Sequence, residues 1–477
     1  MVRLLQILLP CQYRKSKLRA VEVRKPTYLV RTVERLLTNT LPSGSKILVP
    51  EIAGKTTIFA EATDSVFQVE RASIDPATSS GMFPLAMQPG DGPQDAEPRF
   101  DFIVLHRTLE SVYEARTVLQ DARLALLSQG RLIVVSYSRI FQPFRSLKQR
   151  FRRDKSPYSE NWIPSFETEN LLEQTGFEVV TTTHHVLIPF RLPMIGNFVN
   201  RWLAPLPIFR LFTLLSVVTA RPIERSPCRS TIPSVSVVIA ARNEAGNIQE
   251  LLDRIPQMSD QQEVILVEGG STDDTWSVIK SEIAGRNAKG TGSVFLSSQQ
   301  PGRGKADAIR RGFEIASGEI LIILDADISV PPEELQFFVK QLVQGTCDFA
   351  NGSRLVYEMD ARAMRFLNLI GNRLFGIVFT FLLGQQIRDT LCGTKALWRD
   401  DYLRIARGRD FFGDFDPFGD FDLLFGAARL NLRIRDIPVH YKERTYGSTN
   451  ISRFRHGLLL IRMSAIAARK IRFTGGA

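Results

Sequence analysis

The 477-residue chain contains few of the residues that build disulfide or zinc frameworks. It has five histidines, and its four cysteines lie far apart without a CxxC pair, at Cys11, Cys228, Cys347 and Cys392. Neither a disulfide scaffold nor a zinc site is therefore indicated. A reducing compartment agrees best with this cysteine usage.

Long hydrophobic runs are also missing. The opening LLQILLP patch lacks the order of charged, apolar and small residues that marks a secretory signal. The apolar segment 203–220 is interrupted by prolines and an arginine, and 374–384 is shorter than the roughly 18 residues that span a bilayer. We expect no transmembrane helix and a cytoplasmic protein, either free or peripheral on the cytoplasmic face of the membrane.

Two glycine-lysine runs fall short of a P-loop. The run GRGKA has alanine after its lysine, where magnesium binding needs Ser or Thr. The run AGKTT has Val49 at the position of the leading glycine. A P-loop is excluded at both places.

The chain has fewer acidic residues, 50 Asp and Glu, than basic residues, 61 Lys and Arg, which gives a net charge of +11 at pH 7. This balance favours anionic partners, although a solvated basic face explains the charge more simply. The basic residues spread over both halves, apart from a denser run at 145–155, and no aromatic-interleaved nucleic-acid module is present. We predict that nucleic acid is not a partner.

The length exceeds what one hydrophobic core usually covers, so we expect two domains. The run RPIERSPCRSTIP, at 221–233, has the composition of a linker. The predicted boundaries are therefore 1–222 for the first domain, 223–232 for the linker and 233–477 for the second domain.

Both halves alternate between β-branched runs and helical periods, which predicts an α/β fold with a mostly parallel sheet in each. In the second half the strands include VSVVIA, EVILVE, VFLS and EILIILD. In the first half they are KILVPE, FDFIVLH, RLIVVSYS and EVVTTTHHVLIPF, with helices through ARTVLQDARLALLSQ and TENLLEQTGF. Ligands of such sheets bind beyond the carboxyl ends of the strands.

Polar motifs follow the first three strands of the second half. The turn ARNE at 241–244 suits a nucleotide, or it is a surface turn with a helix cap at Asn243. In EGGSTDD, Glu268 is placed to accept hydrogen bonds from a base, while Ser271 and Asp273 are explained equally well as a helix cap. In GRGK, Arg303 or Lys305 at a helix start could contact phosphate.

The fourth strand ends in two carboxylates, Asp325 and Asp327. Hard oxygen ligands suit Mg²⁺ or Mn²⁺, and such an ion would neutralise a diphosphate leaving group. A single DxD is usually a solvated turn. Here it stands in a series of polar strand ends on one sheet edge, which favours a metal and diphosphate site.

Three later motifs add polar groups. Ser353 and Arg354 in a GSR run supply polar and cationic groups, and Arg444 and Ser448 lie in a glycine-containing loop that either closes on phosphate or is simply a loop. The run GDFDLL places Asp420 and Asp422 at the start of an apolar helix. One of these two could be a general base for the acceptor, or both are acidic residues favoured by a helix N-terminus.

With these motifs, residues 233 to about 456 resemble the family 2 inverting glycosyltransferases of GT-A fold, and among them the polyprenyl-phosphate sugar transferases. The resemblance implies Asp325 and Asp327 as metal ligands and Asp420 and Asp422 as catalytic residues. It implies donor-binding roles for Ala241, Arg242, Glu244, Glu268, Ser271, Asp273, Lys305, Asp325, Ser353, Arg354, Arg444 and Ser448.

The departures from the family pattern matter too. Glu268 replaces an aspartate that reads the base, which leaves UDP- and GDP-sugars both open as donors. Ser329 stands where a glutamine often completes the metal shell.

The resemblance also implies a polyprenyl-phosphate acceptor and amphipathic helices on the membrane surface. Segments 365–383 and 454–473 have suitable apolar faces, although core packing or the interface of a homo-oligomer explains the same pattern. A sugar-phosphate nucleotidyltransferase and a non-catalytic scaffold are the alternative functions.

The half from about Lys46 to Pro222 resembles a class I methyltransferase in the order of its elements. The glycine-rich ExGxGxG turn for S-adenosylmethionine is replaced by VPEIAGKTT. We expect a degenerate scaffold domain without S-adenosylmethionine; a bifunctional methyltransferase and glycosyltransferase is the alternative.

Overall fold

The structure is a computed structural model that describes residues 28–52, 58, 66–74, 100–138, 163–190, 192, 194–223, 232–290, 292–357, 366–411, 420–443, 446 and 453–474. Side chains at 366–368, 420 and 453–457 lie outside that description. Within these ranges the chain forms two sheets with helices packed on them, which confirms the predicted α/β class. None of the described helices is both long and apolar enough to cross a membrane.

The N-terminal sheet contains β1 (Lys46–Ile52), β2 (Gln68–Ile74), β3 (Phe100–His106), β4 (Leu126–Tyr137), β5 (Phe177–His185) and β6 (Leu215–Pro222). Their order is β2-β1-β3-β4-β6-β5, with β1 to β4 parallel and β6 antiparallel to both of its neighbours. Ile47 and Phe102 enter the core on one face, and Leu48 and Ile103 enter the core on the other. Both faces of this sheet are therefore buried, as parallel strands require.

The helices of this half are α1 (Tyr28–Thr40), α2 (Ala115–Ala125), α3 (Ser165–Gln174) and α4 (Ile195–Phe198). The predicted extension of α2 through Gln129 is wrong, because Leu126 already pairs with Phe100 as a strand residue. A Cβ at Gly130 would meet the carbonyl oxygens of Phe100 and Leu127, so glycine permits this close pairing. Strand pairing thus overrides the helical pattern.

The C-terminal sheet contains β7 (Val235–Ala241), β8 (Gln262–Glu268), β9 (Ser293–Gln299), β10 (Ile320–Asp325), β11 (Phe349–Ser353), β12 (Lys395–Trp398) and β13 (Ile434–Pro438). Their order is β13-β11-β12-β10-β7-β8-β9. Only β12 runs antiparallel to its neighbours in this described sheet. The carboxyl ends of the other strands therefore lie at one edge.

Helices cover both faces of the C-terminal sheet. On the face that carries Val238 lie α7 (Lys305–Ile315), α9 (Phe366–Leu383), α10 (Arg399–Arg407), α11 (Asp420–Arg429) and α12 (Arg453–Ala467). On the face that carries Val237 lie α5 (Ile248–Arg254), α6 (Thr275–Lys289) and α8 (Leu335–Val343). A π-helical turn, Ala468–Arg472, follows α12.

A buried ionic junction joins the two halves. Arg131 of β4 is 1% exposed and donates to Asp348 Oδ2 at 2.6 Å, and Arg221 of β6 donates to Asp348 Oδ1 at 2.7 Å. The backbone N–H of Arg433 also donates to Asp348 Oδ2, at 2.7 Å. Burial alone would raise the pKa of Asp348, but the two guanidinium groups hold it below its ordinary value.

Asp401 lies beside this junction and is 1% exposed. Burial, with a contribution from the charge of Asp348, raises the pKa of Asp401 to about 6. The folded protein therefore binds a proton here that the unfolded chain has already released, so stability falls as pH rises from about 4 to about 6. We expect Asp401→Asn to remove this fall and to raise the free energy of unfolding at pH 8 by roughly 3 kcal/mol, at 1.36 kcal/mol per pKa unit.

Urea unfolding of both proteins at several pH values between 4 and 8 measures the effect. Asp400→Asn, a change at the exposed neighbouring residue, is the control and should leave the pH dependence as it is. An Asp401→Asn variant whose stability follows the same pH dependence as the wild type would contradict the buried, protonated state of Asp401.

Candidate active site

The polar strand ends of the C-terminal sheet meet at one edge. Across adjacent strands, Asp325 pairs with Ala240, Ala241 pairs with Glu268, and Glu268 pairs with Gln299. These strands are parallel, so their side chains and the turns that follow them converge. We call this line of strand ends, Ala241, Glu268, Gln299 and Asp325, the donor edge.

Asp325 is held at the end of a fully buried strand. The five residues before it in β10 are each 0% exposed, whereas its own side chain is 28% exposed. Lys305, the first residue of α7, places Nζ 2.5 Å from Asp325 Oδ1. The donor edge thus combines a carboxylate, a cation and a helix N-terminus.

Gly393, in the turn before β12, lies directly against the pair of Asp325 and Lys305. A Cβ at this position would collide with both carboxylate oxygens of Asp325 and with Lys305 Nζ. The sequence analysis missed this glycine, and its place in the polar run TLCGTK was the only signal. Glycine is required here because backbone and side chains approach so closely.

The turn after Asp325 fixes the second carboxylate. Ser329 donates to Asp327 Oδ1 through its backbone N–H at 3.0 Å and its hydroxyl at 2.7 Å. Between them, Ile328 adopts a φ of +54°, which is rare for a β-branched residue and indicates local strain. The backbone N–H of Lys442 donates to Ser329 O at 2.9 Å and ties the chain after β13 to this turn.

The turns after β7 and β8 are joined by reciprocal hydrogen bonds. The backbone N–H of Asn243 donates to Ser271 Oγ at 3.0 Å, and the N–H of Thr272 donates to Asn243 Oδ1 at 2.8 Å. Asn243 has a φ of +57°, a conformation that asparagine tolerates. The N–H of Glu244 donates to Thr275 Oγ1 at 2.9 Å. Two sequence-distant motifs thus form one polar turn beside Asp325.

Asp273 also lies in this turn. Its Oδ1 accepts from the backbone N–H of Thr275 at 3.1 Å and from the Thr275 hydroxyl at 2.5 Å. Burial would raise the pKa of Asp273, and the Thr275 bonds lower it below its usual value. Asp274 is the N-cap of α6 and makes no side-chain cap hydrogen bond, while Asp273 Oδ2 accepts from the backbone N–H of Ala245 at 3.4 Å, so Asp273 connects the start of α6 to the turn after β7.

Glu268 is 2% exposed, and both of its carboxylate oxygens accept hydrogen bonds. Oε1 accepts from the backbone N–H of Ser271 at 2.5 Å, and Oε2 accepts from Gln299 Nε2 at 3.0 Å. Burial would raise the pKa of Glu268, but these bonds lower it below its ordinary value, so the group is ionised. Gln299, which the sequence analysis missed, therefore occupies one of the two oxygens of the carboxylate that was predicted to accept hydrogen bonds from the base.

Arg354, for which the resemblance implies a role in donor binding, forms an ion pair within the protein. Its guanidinium forms two bonds to Asp389, at 2.7 and 2.9 Å, and stacks on Tyr441 with 4.9 Å between Arg354 Cζ and the ring centre. Burial would raise the pKa of Asp389, but Arg354 lowers it to about 2. Ser353 is fully buried beside it. A direct role of Arg354 in donor binding would require this pair to open.

Asp422 also contacts arginines. Its Oδ2 lies 2.7 Å from Arg409 Nε and 3.4 Å from an amino nitrogen of Arg310. Arg310 lies in the middle of α7, whereas Lys305 is at the start of that helix. The side chain of Asp420 lies outside the described residues. The catalytic roles of both stay predictions.

Arg444 and Ser448 also lie outside the described residues, but Tyr446 between them is described. A Cβ at Gly246 would come within 2.8 Å of the Tyr446 ring, so this ring packs on the turn that follows β7. Arg242 is exposed in the same turn, and Ala241 is buried at its start. Tyr446 therefore lies against the turn after β7, beside the donor edge.

The carboxylates fit a hard divalent ion. Among the described residues, no three His, Cys, Asp or Glu side chains converge as a complete protein cage. Mg²⁺ is commonly held by one or two carboxylates, with substrate phosphates and water in the remaining positions. Asp325 and Asp327, adjacent to a cationic helix start, match that donor set.

Part of the C-terminal half is similar to a known protein family. Residues 236–405 match the family described as Glycosyl transferase family 2. Together with the mixed strand order, this match supports the predicted GT-A fold of the C-terminal half.

Individual relatives overlap mainly with the same half. Glycosyltransferase AglD of Haloferax volcanii is 30% identical over 239 residues, which are 48% of this chain and 36% of AglD. An undecaprenyl-phosphate 4-deoxy-4-formamido-L-arabinose transferase of Edwardsiella ictaluri is 37% identical over 225 residues, 46% of this chain and 63% of that protein. The chain thus spans about a third of the first relative and less than two thirds of the second.

Glucosyl-3-phosphoglycerate synthase of Mycobacterium tuberculosis, crystallised with Mn²⁺ and UDP, is 21% identical. The match covers 50% of this chain and 80% of that one, with a TM-score of 0.37, at which the likeness carries no functional argument.

Proposed function

We propose that the C-terminal half transfers a sugar from a UDP- or GDP-linked donor to an acceptor by a single inverting displacement. The observation that carries the proposal is the Asp325–Lys305 pair at the donor edge, with Asp327 in the turn that follows β10 and the polar turn of Asn243 and Ser271 after the neighbouring strands. The match to family 2 glycosyltransferases over 236–405 supports it.

In this proposal the donor diphosphate lies between the two carboxylates and the start of α7. Asp325 and Asp327 hold Mg²⁺ or Mn²⁺, which supplies positive charge to the departing diphosphate when bound. Lys305 adds a second cation, and the N–H groups at the helix start favour phosphate. Glu268 borders the base. The acceptor oxygen bonds to the anomeric carbon while the bond to the diphosphate breaks, and its electron pair leaves with the nucleotide.

The proposed acceptor is a polyprenyl phosphate. The Edwardsiella ictaluri relative is named an undecaprenyl-phosphate transferase, which supports this class, and a phosphate acceptor is already ionised at neutral pH. Asp420 or Asp422 then only needs to orient the acceptor. The pairing of Asp422 with Arg310 and Arg409 is compatible with this limited role.

Product analysis tests the proposed reaction. Incubation of UDP- and GDP-sugars with Mg²⁺ or Mn²⁺ should release the nucleoside diphosphate, slowly with water and faster with an acceptor phosphate. Release of pyrophosphate would instead identify a nucleotidyltransferase. Absence of any turnover with both nucleotides would count against a transferase.

Gly393→Ala provides a prediction for the site geometry. Because the added methyl group meets both Asp325 and Lys305, we expect at least about a tenfold loss in apparent Mn²⁺ affinity. Activity titrated against Mn²⁺ measures it. Gly285→Ala in α6, where an added Cβ meets nothing within 4 Å, is the control. Equal Mn²⁺ dependence of the two variants would show that Asp325 does not bind the ion.

Membrane attachment is proposed through α9 and α12. Ile370, Leu374 and Ile377 of α9 are exposed at helical spacing on one face, and Leu458 and Ile461 of the neighbouring α12 are exposed as well. This apolar face supports a peripheral membrane location better than core packing, while a homo-oligomer interface is the competing explanation.

Co-sedimentation with anionic liposomes separates these two explanations. Leu374→Asp with Ile377→Asp should abolish binding, whereas Phe337→Asp on α8 should not, because α8 covers the opposite face of the sheet. An unchanged liposome fraction together with a shift from dimer to monomer would favour the oligomer.

The N-terminal half is proposed to be a scaffold without bound S-adenosylmethionine. The carboxylate of Glu51, at the end of β1, pairs with Arg71 of β2 at 3.3 Å, which supports a structural role for it. The turn 53–57 lies outside the described residues. Calorimetry with S-adenosylmethionine tests this, and micromolar binding would favour the bifunctional alternative.

A further inference from the structure

A cavity lies between the N-terminal sheet and the last helices of the C-terminal half. Its walls come from α1, from β4, β5 and β6, from the ends of α9 and α11, and from the π-helical turn after α12. Its volume is about 90 Å³. At about 10–15 Å³ per water-sized centre, this is room for a ligand of roughly six to nine heavy atoms.

Several nitrogens of the lining residues lack a partner. Asn431 and His185 are 5% and 7% exposed, and within the described part of the chain Asn431 Nδ2 and His185 Nδ1 have no hydrogen-bond partner. The same holds for Nε of Arg429 and of Arg472. Three of these four atoms are obligate donors, so the missing partner is an acceptor. Buried donors left unpaired are costly, which favours a bound ligand.

The charge of the walls has one sign. Arg429, Lys470 and Arg472 line the cavity, and no Asp or Glu is among its described lining residues. Burial lowers the pKa of Arg472 to about 10 and lowers that of Arg429, and neither shift is offset by a carboxylate. An anion would supply the missing counter-charge.

Apolar side chains form a second part of the lining. They include Leu36 and Leu37 of α1, Leu382 and Leu383 of α9, and Ile133 and Val135 of β4, and the hydroxyl and amide side chains of five threonines and Asn39 also line the cavity. A ligand that satisfies both kinds of wall has a small oxyanion at one end and a short apolar body at the other.

This cavity is separate from the donor edge. Asn431 lies just before β13, which runs parallel to β11, so it belongs to the opposite edge of the C-terminal sheet from Asp325. The junction residue Arg131 donates to the backbone oxygen of Asn431 at 2.6 Å, which fixes the cavity wall to both halves.

We propose that this cavity binds a small phosphomonoester or phosphate anion, with its oxygens on Asn431, Arg429 and Arg472 and its carbon body against the leucines of α1 and α9. The ligand would join the two halves of the chain at a place distant from the donor edge. The site is independent of the proposed glycosyl transfer.

Calorimetry on the full chain tests the proposal with two probes, inorganic phosphate and n-butyl phosphate, in chloride of matched ionic strength. Both should bind, and butyl phosphate should bind at least about tenfold more tightly because its methylene groups meet the apolar walls. Tighter binding of inorganic phosphate would show that the oxyanion alone is recognised and would overturn the apolar half of the proposal. No binding of either probe would overturn the whole.

Two variants locate the anion. Asn431→Asp keeps the shape and the left-handed backbone at φ +54° but replaces the donor with a carboxylate, so phosphate binding should be lost. Arg472→Met should weaken binding at least tenfold, whereas Arg469→Met, at an exposed position of the same turn, should not. Binding that survives Asn431→Asp and Arg472→Met but is lost in Lys305→Ala would place the anion at the donor edge and contradict the proposal.

Discussion

Asp325→Asn is expected to lower the rate of sugar transfer by about 10²- to 10³-fold at every concentration of Mg²⁺ or Mn²⁺. The change keeps the shape of the side chain but removes its charge from the end of β10, where Lys305 and Gly393 also converge. In the variant Lys305 loses its carboxylate partner and the ion loses a hard anionic ligand. Initial rates from nucleoside diphosphate release measure the loss.

The control for this prediction is Asp260→Asn, an exposed aspartate that precedes β8 at the opposite edge of the same sheet. It should keep wild-type activity. Both variants should unfold at the wild-type urea midpoint, because Asp325 is 28% exposed at the end of β10 and Asp260 is exposed as well. Full turnover in Asp325→Asn, with the metal dependence unchanged, would refute the assignment of the donor edge.

The donor edge could be predicted from the sequence because it depends mainly on strand order. Residues that follow parallel strands meet at one edge, so Asp325, Glu268 and the turn at Asn243 came together as expected. The bonds within the turns, such as Ser329 to Asp327, are local and follow from residues two positions apart. This part of the site required no knowledge of the tertiary packing.

The partners of the other charged groups could not be predicted this way. Arg354 pairs with Asp389, and Asp422 pairs with Arg310 and Arg409, across elements whose relative positions no local pattern gives. Both pairs change the interpretation of a motif, GSR for Arg354 and GDFDLL for Asp422. A guanidinium or carboxylate that is already ion-paired must break that pair before it can bind a ligand. The resemblance identified the residues, and the packing determined their contacts.

Two strands of the N-terminal sheet were missed for different physical reasons. β2 carries Glu70 and Arg71 on an edge position, where polar side chains replace the apolar alternation that marks a strand. β6 follows an apolar stretch broken by Pro205 and Pro207, so the sequence presents one continuous segment instead of a turn and a strand. Its antiparallel insertion between β4 and β5 depends on pairing that is non-local.

Asp348→Asn is expected to lower the free energy of unfolding by about 3–5 kcal/mol, because it leaves buried arginine charge without its counter-charge. Arg131 is 1% exposed and has Asp348 as its carboxylate partner, while Arg221 keeps its bond to Glu178 at 2.7 Å. Most of the loss should therefore arise from Arg131. Urea unfolding at pH 7, followed by circular dichroism, measures it.

Asp253→Asn is the matched control, since Asp253 forms an equally short 2.6 Å pair with Arg286 but is 57% exposed. Exposed pairs contribute about 0–1 kcal/mol, so this variant should unfold close to the wild type. Adding Arg131→Met to Asp348→Asn should restore part of the stability, because the uncompensated charge is then removed. If Asp348→Asn and Asp253→Asn cost the same, the junction does not hold the halves together. If the costs differ as expected, Arg131 of the N-terminal half cannot stay buried without the carboxylate of Asp348 from the C-terminal half, and the stability of each half then depends on the other.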